Sequence, residues 1–266
     1  KPLEFETDWG KIGIGTDEDD YYHGNFILII DPGGDDFYNM EAVYDPAATV
    51  IIDYGGDDIY KFTNDSLYRC TETEKILTEK PAGIGGYTYI VDYEGDDIYN
   101  CHDFSLAAGI YGVSIFKDYD GDDTYNTDTF GPAAGSMGIG MLLDFNGRDR
   151  YSGAIYNEGY GFTGGLGILF DAEGHDTYLS GGKYGDILRY EDHYVTFSQG
   201  AAYGLRPYLS GGIGMLLDGA GNDIYFSDIF GQASGYWYSA GIIYDKSGND
   251  RYQSFQYAQG AGTHMA

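Results

Sequence analysis

The stretch Asp218-Gly-Ala-Gly-Asn-Asp-Ile-Tyr225 is one of eight copies of the pattern Asp-x-x-Gly-x-Asp-x-Tyr in this chain of 266 residues. The other copies open at Asp31, Asp53, Asp92, Asp118, Asp144, Asp171 and Asp245. Successive copies start 22, 39, 26, 26, 27, 47 and 27 residues apart, so the basic period is 26 to 27 residues. A period of this length is typical of a solenoid, in which each repeat is one coil that packs on its neighbours.

The residues before each copy alternate as they do in a β-strand. The residue two positions before the first Asp is always large and apolar, and the residue four positions before it is mostly small, as Leu216 and Gly214 illustrate. Positions of equal parity share one face of a strand, so these side chains are expected to point into the solenoid. Glycine and β-favouring residues fill the rest of each period and argue against helices. We therefore predict an all-β fold, a parallel β-helix or β-solenoid of about eight to nine coils with one Asp-rich loop per coil.

The repeats leave no room for an independent second domain, so we interpret residues 1–266 as a single repeat domain. Residues 1–22 are expected to form an N-terminal cap or a worn repeat, because Asp19-Asp-Tyr-Tyr22 keeps only the end of the pattern. The solenoid then covers 23–266, with insertions near 61–84 and 179–197, where two periods are longer than the rest. Insertions in solenoids form loops on one face, often the binding face.

Charge and composition restrict the partners of the chain. The formal net charge is −29, with only 14 Lys and Arg, which argues against nucleic acid and anionic membrane surfaces and favours cations. No apolar run is long enough for a helix that spans a bilayer. Lys1 in place of Met fits a processed secreted chain or an expression product. Cys70 and Cys101 lack the spacing of metal ligands, and whether they form a disulfide is left open.

Stacking the coils would place the two aspartates of each loop in two columns with like charges about 5 Å apart. At an effective dielectric of 20, that repulsion is about 3.5 kcal/mol for each neighbouring pair. Calcium fits this arrangement, because it takes six to eight hard oxygen ligands in flexible geometry. We expect Arg148 to weaken ion binding in its loop by taking the place of an ion. The predicted metal ligands are Asp31, Asp36, Asp53, Asp58, Asp92, Asp97, Asp118, Asp120, Asp123, Asp144, Asp149, Asp171, Asp176, Asp218, Asp223, Asp245 and Asp250.

A second interpretation needs no ion. The first Asp would cap the turn, the Gly would supply a positive φ, and the second Asp would accept a hydrogen bond from a Tyr hydroxyl or from a neighbouring coil. Both interpretations can hold together. The Tyr that closes each copy is expected to stack on the Tyr of the next coil, with its hydroxyl at the rim.

The loops Gly219-Ala-Gly-Asn-Asp-Ile-Tyr225 and Ser247-Gly-Asn-Asp-Arg-Tyr252 resemble the glycine- and aspartate-rich calcium repeats of secreted repeats-in-toxin proteins. The resemblance covers the Gly-x-Asp core of all eight loops. It implies Ca²⁺ bound between turns and a chain that folds after export. The family repeats every nine residues, two repeats per coil, whereas this chain has one loop in 26 to 27 residues, so its two-sided roll is not carried over.

No motif of a known class of enzyme is present, and eight equivalent carboxylate pairs argue against a single active site. The second insertion contains Lys183, Arg189, His193 and Tyr194, which are weak catalytic candidates; a solvated loop is the competing interpretation. The chain is therefore expected not to be an enzyme.

From these observations we expect a secreted or surface-exposed calcium-binding solenoid with a structural or adhesive role. The chain stops partway through a period, and Gly10-Lys-Ile-Gly-Ile-Gly15 of another copy could supply the strand that would follow. Such a head-to-tail contact would build a filament. A fragment of a longer repeat array is the competing explanation. The alternative function is a β-helix that binds or cleaves carbohydrate through its two insertions.

Overall fold

The computed structural model describes residues 1–40, 48–62 and 82–266, and these residues form strands but no helix. Sheet A consists, in spatial order, of β1 (Leu3–Thr7), β2 (Gly10–Ile14), β4 (Phe26–Asp31), β6 (Ala48–Asp53), β9 (Tyr87–Asp92), β12 (Val113–Asp118), β15 (Ile139–Asp144), β17 (Leu166–Asp171), β22 (Ile213–Asp218) and β25 (Ala240–Asp245). Sheet B consists of β3 (Tyr21–Gly24), β5 (Phe37–Met40), β7 (Ile59–Phe62), β10 (Ile98–Asn100), β13 (Thr124–Asn126), β16 (Arg150–Gly153), β18 (Thr177–Ser180), β23 (Ile224–Phe226) and β26 (Arg251–Gln253).

The remaining strands are short. Two three-stranded sheets are formed by β8 (Ala82–Ile84), β11 (Ala108–Ile110) and β14 (Gly135–Ser136), and by β21 (Ala202–Tyr203), β24 (Gly235–Tyr236) and β27 (Gly262–Thr263). An antiparallel hairpin of β19 (Gly185–Asp186) and β20 (Tyr190–Tyr194) lies within the predicted second insertion.

The strand pairing aligns equivalent positions of successive repeats. Neighbouring strands of sheet A run parallel, except for the antiparallel pair β1 and β2. Asp144 of β15 pairs with Asp118 on one side and Asp171 on the other, and in sheet B Tyr125 pairs with Tyr151. Long parallel sheets of repeated strands in an all-β chain are consistent with the predicted β-solenoid.

Two stacked columns of apolar side chains fill the interior. The first is the aliphatic column predicted from strand parity, and its members are at most 1% exposed: Ile29, Ile51, Ile90, Phe116, Leu142, Leu169 and Leu216. The second consists of the motif tyrosines, whose rings stack face to face with centroids 4.8 Å apart between Tyr125 and Tyr151 and 4.7 Å apart between Tyr178 and Tyr225. The predicted stacking is confirmed, but the hydroxyls do not lie at the rim, because these four side chains are fully buried.

The opposite face of sheet A is also apolar. In the sheet A strands from β6 to β22, buried residues alternate with residues that point away from the interior, as in β17, where Leu166, Ile168 and Phe170 are only partly buried. The outward Val91 of β9 is an exception, because it is only 4% exposed. We call the outward side chains of the ten strands the outer apolar face. Its two central positions per strand are occupied by Leu3, Phe5, Ile12, Ile14, Leu28, Ile30, Val50, Ile52, Tyr89, Val91, Ile115, Lys117, Met141, Leu143, Ile168, Phe170, Met215, Leu217, Ile242 and Tyr244.

The N-terminal segment continues the stacking of both sheets. The amide of Gly15 donates a hydrogen bond to the carbonyl oxygen of Ile30 over 2.8 Å, so Gly15 lies beside Asp31, where later repeats have Asp. A Cβ at Gly15 would lie 2.1 Å from Asp31 Oδ2, so a larger residue there would displace that carboxylate. Most of the predicted first insertion, including Cys70, falls on residues 63–81, outside the described residues.

Candidate metal centre

Each repeated loop turns both of its aspartates inward. The first Asp is the last residue of a sheet A strand, and the second directly precedes a sheet B strand, as Asp118 and Asp123 do around the turn between β12 and β13. Side chains of the first kind are at most 1% exposed from Asp31 to Asp218, and those of the second kind at most 2% exposed from Asp36 to Asp223. The first Asp has the same parity as the buried aliphatic residue two positions earlier, so the sequence contained a signal for this orientation.

The first Asp of each loop accepts a hydrogen bond from the tyrosine of the preceding repeat. The distance from the hydroxyl to Oδ2 is 2.6 Å for Tyr99 and Asp118, and 2.6 Å for Tyr125 and Asp144. The same contact recurs along the chain from Tyr22 and Asp31 to Tyr225 and Asp245, and for Tyr151, Tyr178 and their partners. These tyrosines therefore connect each repeat to the next through a carboxylate, whereas the last one, Tyr252, donates to Asp245 of its own repeat.

The second Asp of each loop forms a ladder along the stack. The backbone amide of Asp97 donates to Oδ1 of Asp123 over 2.7 Å, that of Asp123 to Asp149 over 2.8 Å, and that of Asp149 to Asp176 over 2.8 Å. The second Asp thus accepts from a neighbouring repeat, as the hydrogen-bonded interpretation of the loop proposed.

Hydrogen bonds leave one oxygen of most of these carboxylates without a partner. The unpartnered oxygens of the first kind are Oδ1 of Asp92, Asp118, Asp144, Asp171 and Asp218, and those of the second kind are Oδ2 of Asp58, Asp149, Asp176 and Asp223. At Asp31 and Asp53, Oδ1 accepts the backbone amide two residues later, at 2.9 Å in both loops. The amides of Glu94 and Asn146 approach Asp92 and Asp144 in the same way but with poorer geometry, so turn capping accounts fully for the first Asp of only two of these loops.

The aspartates gather into groups of three that span two repeats. Each group joins the second Asp of one repeat to both aspartates of the next, with one carboxylate oxygen from each within 4.8 Å of the others. Five such groups are Asp36, Asp53 and Asp58; Asp58, Asp92 and Asp97; Asp97, Asp118 and Asp123; Asp123, Asp144 and Asp149; and Asp149, Asp171 and Asp176. Consecutive groups share a residue, so they form one continuous column that could bind metal ions. Their geometry does not select one metal.

Burial raises the pKa of these carboxyl groups, and the neighbouring carboxylates raise it further. The pKa rises to about 10 for Asp58, to about 11 for Asp97 and to about 10 for Asp123. Within the described ranges, no Lys or Arg side chain forms an ion pair with a member of the column. The column therefore receives no ion pair from the described Lys and Arg residues, and protons or bound cations would stabilise it.

A separate row of acidic residues lies outside the column. Asp96 and Asp122 are exposed, and the amide of Asp122 donates to Oδ1 of Asp96 over 2.7 Å. Arg148 forms an ion pair with Asp122 of this row, so its guanidinium neutralises an exposed carboxylate. That it weakens ion binding in its loop stays a prediction. Asp120 is exposed as well and accepts a hydrogen bond from Asn146 over 2.5 Å, at the surface of the loop. Arg148 directly precedes the buried Asp149. Successive side chains of an extended chain point to opposite sides, so the side chain of Arg148 points outward.

The four weak catalytic candidates of the second insertion are held by separate partners. Lys183 forms an ion pair with Asp128, and Arg189 forms one with Asp186 over 2.9 Å. His193 Nδ1 lies 2.8 Å from Asp228 Oδ1, and its ring stacks on Phe255 with centroids 3.5 Å apart. The backbone amide of Tyr194 donates to Asp228 Oδ2 over 2.6 Å.

Only two of these candidates face one cavity. His193 and Tyr194 line a cleft of about 400 Å³ together with Asp228 and Phe255. Lys183 and Arg189 are not among the residues that line it. The structure therefore does not bring the four side chains together at one centre.

In the described part of the chain, no helix is both long and apolar enough to cross a bilayer. Comparison with protein-family models, curated proteins and solved structures found no match to this chain. The all-β parallel architecture and the repeated aspartate groups are consistent with a β-solenoid, and the resemblance to repeats-in-toxin proteins stays a prediction.

Proposed function

We propose that the chain is a calcium-binding β-solenoid of eight to nine coils with a structural or adhesive role. In this proposal a column of Ca²⁺ ions between the coils neutralises the inward-facing aspartates. The observation that carries the proposal is the set of fully buried carboxylate oxygens that have no hydrogen-bond partner. An unpaired buried charge is strongly destabilising, whereas a bound cation would satisfy these oxygens.

The size and charge of the groups favour a divalent cation. Three oxygens within 4.8 Å of one another leave a central point within about 2.8 Å of each, close to the 2.3–2.6 Å of calcium–oxygen bonds. Each repeat buries two carboxylates, so one divalent ion per repeat leaves the column neutral. Calcium tolerates irregular oxygen sites better than magnesium, which requires near-octahedral geometry.

The location follows from the ion. Sites that require millimolar Ca²⁺ are filled outside cells, so we propose that the protein is secreted or lies at a cell surface. The resemblance of the loops to calcium repeats of secreted proteins supports the same location. Filling the column would also remove much of the net charge of −29, which otherwise opposes compact folding.

The test is thermal unfolding with millimolar Ca²⁺ and with a chelator, together with calorimetric counting of bound ions. We expect five to seven ions per chain, because five groups are described above and two more are present. An ion that binds only the folded state adds about 2.7 kcal/mol at 100 times its dissociation constant, so several sites should raise the melting temperature by tens of degrees.

Two neighbouring aspartates provide a matched pair of variants. Asp123→Asn removes a charge from two adjoining groups, whereas Asp122→Asn removes one from the exposed row. The first variant should bind at least one ion fewer, and calcium should raise its melting temperature by less than that of the wild type. The second should keep the wild-type stoichiometry. An unchanged melting temperature and no bound ions in the wild type would reduce the aspartates to hydrogen-bonded turn residues and refute the proposal.

The proposal includes head-to-tail assembly into a filament. β25 and β26 lie at one end of sheets A and B, where each pairs with a single neighbour, and Asp245 and Asp250 beside them are partly exposed. Unpaired strand edges can pair with another chain, and a head-to-tail contact continues without closing. Electron microscopy should show filaments in calcium. A monodisperse monomer at all protein and calcium concentrations would contradict filament assembly. It would not contradict calcium binding by the aspartate column.

Carbohydrate binding or cleavage through the insertions is the second candidate. The cleft lined by His193, Tyr194 and Asp228 favours it, because two of the four candidates contact an acidic residue there. His193 stacks on one face of the Phe255 ring and leaves less of that ring accessible to a sugar. Deleting residues 182–194 should abolish polysaccharide binding under this candidate. The same deletion should leave ion binding intact under the first.

A further inference from the structure

The outer apolar face of sheet A is an unusually large apolar surface. Of the twenty positions given above, Lys117 is the only charged one, in a chain with a net charge of −29. Ten strands about 4.8 Å apart and about 17 Å long cover about 700 Å². The exposed members include Ile14 at 41%, Ile242 at 37% and Tyr244 at 56%. The largest apolar patch of a typical monomer measures about 300–600 Å².

The face continues beyond the strands into a groove. The first residues of four neighbouring strands line a shallow groove of about 770 Å³ with mostly apolar walls. These residues are Ile139, Leu166, Ile213 and Ala240. Lys117, at the other end of its strand, holds its ammonium group 5.7 Å from the centre of the Tyr89 ring. The one charge therefore lies toward one side of the face and leaves the rest free of charge.

A parallel sheet of this composition normally has both faces covered. Parallel strands that are apolar on both sides occur almost exclusively where a second layer shields each face from water. In sheet A the interior columns cover one face, and no described residues cover the other as a layer. The loss of water from an apolar face of this size is favourable, at about 25 cal/mol per Å².

We propose that two copies of this chain pack sheet A against sheet A through the outer apolar face. The available area of about 700 Å² is close to the roughly 800 Å² per partner of a stable protein interface. Two flat apolar sheets pack face to face with interdigitating side chains, as in β-sandwiches. The acidic residues of sheet A are the inward-facing aspartates at the strand ends and Glu4 and Glu6 of β1, which alternate with the outward Leu3 and Phe5. The contact therefore brings few like charges together. An anionic membrane is a poor occupant, because the remainder of the surface repels it.

The test is sedimentation equilibrium of the full chain in millimolar Ca²⁺ at micromolar concentrations. We expect a mass twice the 29.2 kDa of the chain at protein concentrations below those at which head-to-tail filaments form. Added NaCl should strengthen the dimer, because it screens repulsion between two acidic copies. Ile168→Glu and Met215→Glu place a carboxylate on the contacting face, in the eighth and ninth of its ten strands. Each should raise the dissociation constant at least about 100-fold, since burying an unpaired charge is strongly unfavourable.

The matched control is Ile224→Glu, at a strand residue of sheet B that is 45% exposed. It should leave the dissociation constant within about threefold of the wild-type value, because it lies outside the face. A wild-type chain that stays at 29.2 kDa up to about 100 μM would overturn the proposal, and this result does not depend on how the variants fold. A dimer that tolerates both face substitutions would also overturn it.

Two further outcomes separate other occupants. Flotation of a monomer with neutral phosphatidylcholine vesicles, lost in Ile168→Glu, would assign the face to a lipid surface and overturn the dimer. Filaments that join strand edges would persist in Ile168→Glu. Their persistence together with loss of the dimer would support the face-to-face contact and leave the ion column unaffected.

Discussion

Glu158 provides the sharpest test of how the interior of the repeats is built. It is fully buried. The side chain of Gln199 and the backbone of Leu179 approach its carboxylate and partly offset the effect of burial on its pKa, but neither forms a hydrogen bond of good geometry. Gln199 and Gln232 occupy the positions equivalent to Glu158 in the next two repeats. The backbone hydrogen bonds show this equivalence, since the amide of Gly200 donates to the carbonyl of Glu158 and the amide of Ala233 to that of Gln199. The side-chain amide of Gln199 donates to the carbonyl oxygens of Tyr178 at 3.1 Å and Phe226 at 2.9 Å. An ionised Glu158 cannot donate such bonds, whereas its protonated form can donate one.

The expected effect of Glu158 on the free energy of unfolding follows from its pKa, which burial raises from 4.5 to about 8. The folded state holds a proton that the unfolded chain has already lost between these two values. The contribution of Glu158 to stability is therefore complete below about pH 4.5 and declines as the pH rises to about 8. A shift of about 3.5 pKa units corresponds to at most about 5 kcal/mol. Glu158→Gln should thus stabilise the protein above pH 8 by about 3–5 kcal/mol.

The assay is urea unfolding of wild type and Glu158→Gln from pH 5.5 to 8.5 at constant calcium. Taking the difference between the two proteins removes the titration of the aspartate column, which they share. The difference should grow by about 1.4 kcal/mol per pH unit and level off near pH 8. The reverse substitution Gln199→Glu should lose stability with the same pH dependence. A difference that is constant across this range would refute the reasoning.

Two further substitutions test the contacts between repeats. Tyr125→Phe keeps the ring stack but removes the hydroxyl that donates to Asp144 over 2.6 Å, and urea unfolding should show a loss of about 1.5–3 kcal/mol. A loss below about 0.5 kcal/mol would mean that this bond adds nothing beyond the stack. Gly121→Ala would place a Cβ 1.6 Å from the carbonyl oxygen of Gly95, at a φ of +157°, so no folded protein should be recovered. Gly182→Ala meets no atom within 4 Å at a φ of +83° and should cost about 1 kcal/mol. A wild-type melting curve for Gly121→Ala would contradict the close stacking of the loops.

Much of the architecture could be predicted from the sequence because one pattern recurs. The alternation of Gly214 and Leu216 predicts a strand with an inward face, and the constant period predicts that equivalent residues pair, as Asp144 and Asp171 do. The same alternation applied to the next position would have placed the aspartates inside. We predicted two columns of aspartates with calcium between them, but not that the carboxylates are buried, since Asp and Gly are typical of exposed turns.

Other features were beyond the sequence, because they depend on the offset between sheets. The bond from Tyr125 to Asp144 joins residues of different repeats, and no spacing rule states that a hydroxyl of sheet B reaches the end of a sheet A strand one repeat later. The outer apolar face was written in the sequence at positions such as Ile168 and Met215. The sequence does not say whether another layer covers these positions, and in the structure no described residues form such a layer on that side of sheet A.

The sequence by itself determined the period, the strand positions and the parallel register, because identical residues at a constant interval can satisfy the same local geometry only by stacking on their own equivalents. The tertiary structure alone decided that the carboxylates are buried, which tyrosine each one meets, and which of their oxygens have no partner. The physical reason is that burial and hydrogen bonding depend on the distance between sheets, which is set by how the side chains of all repeats fill the interior together.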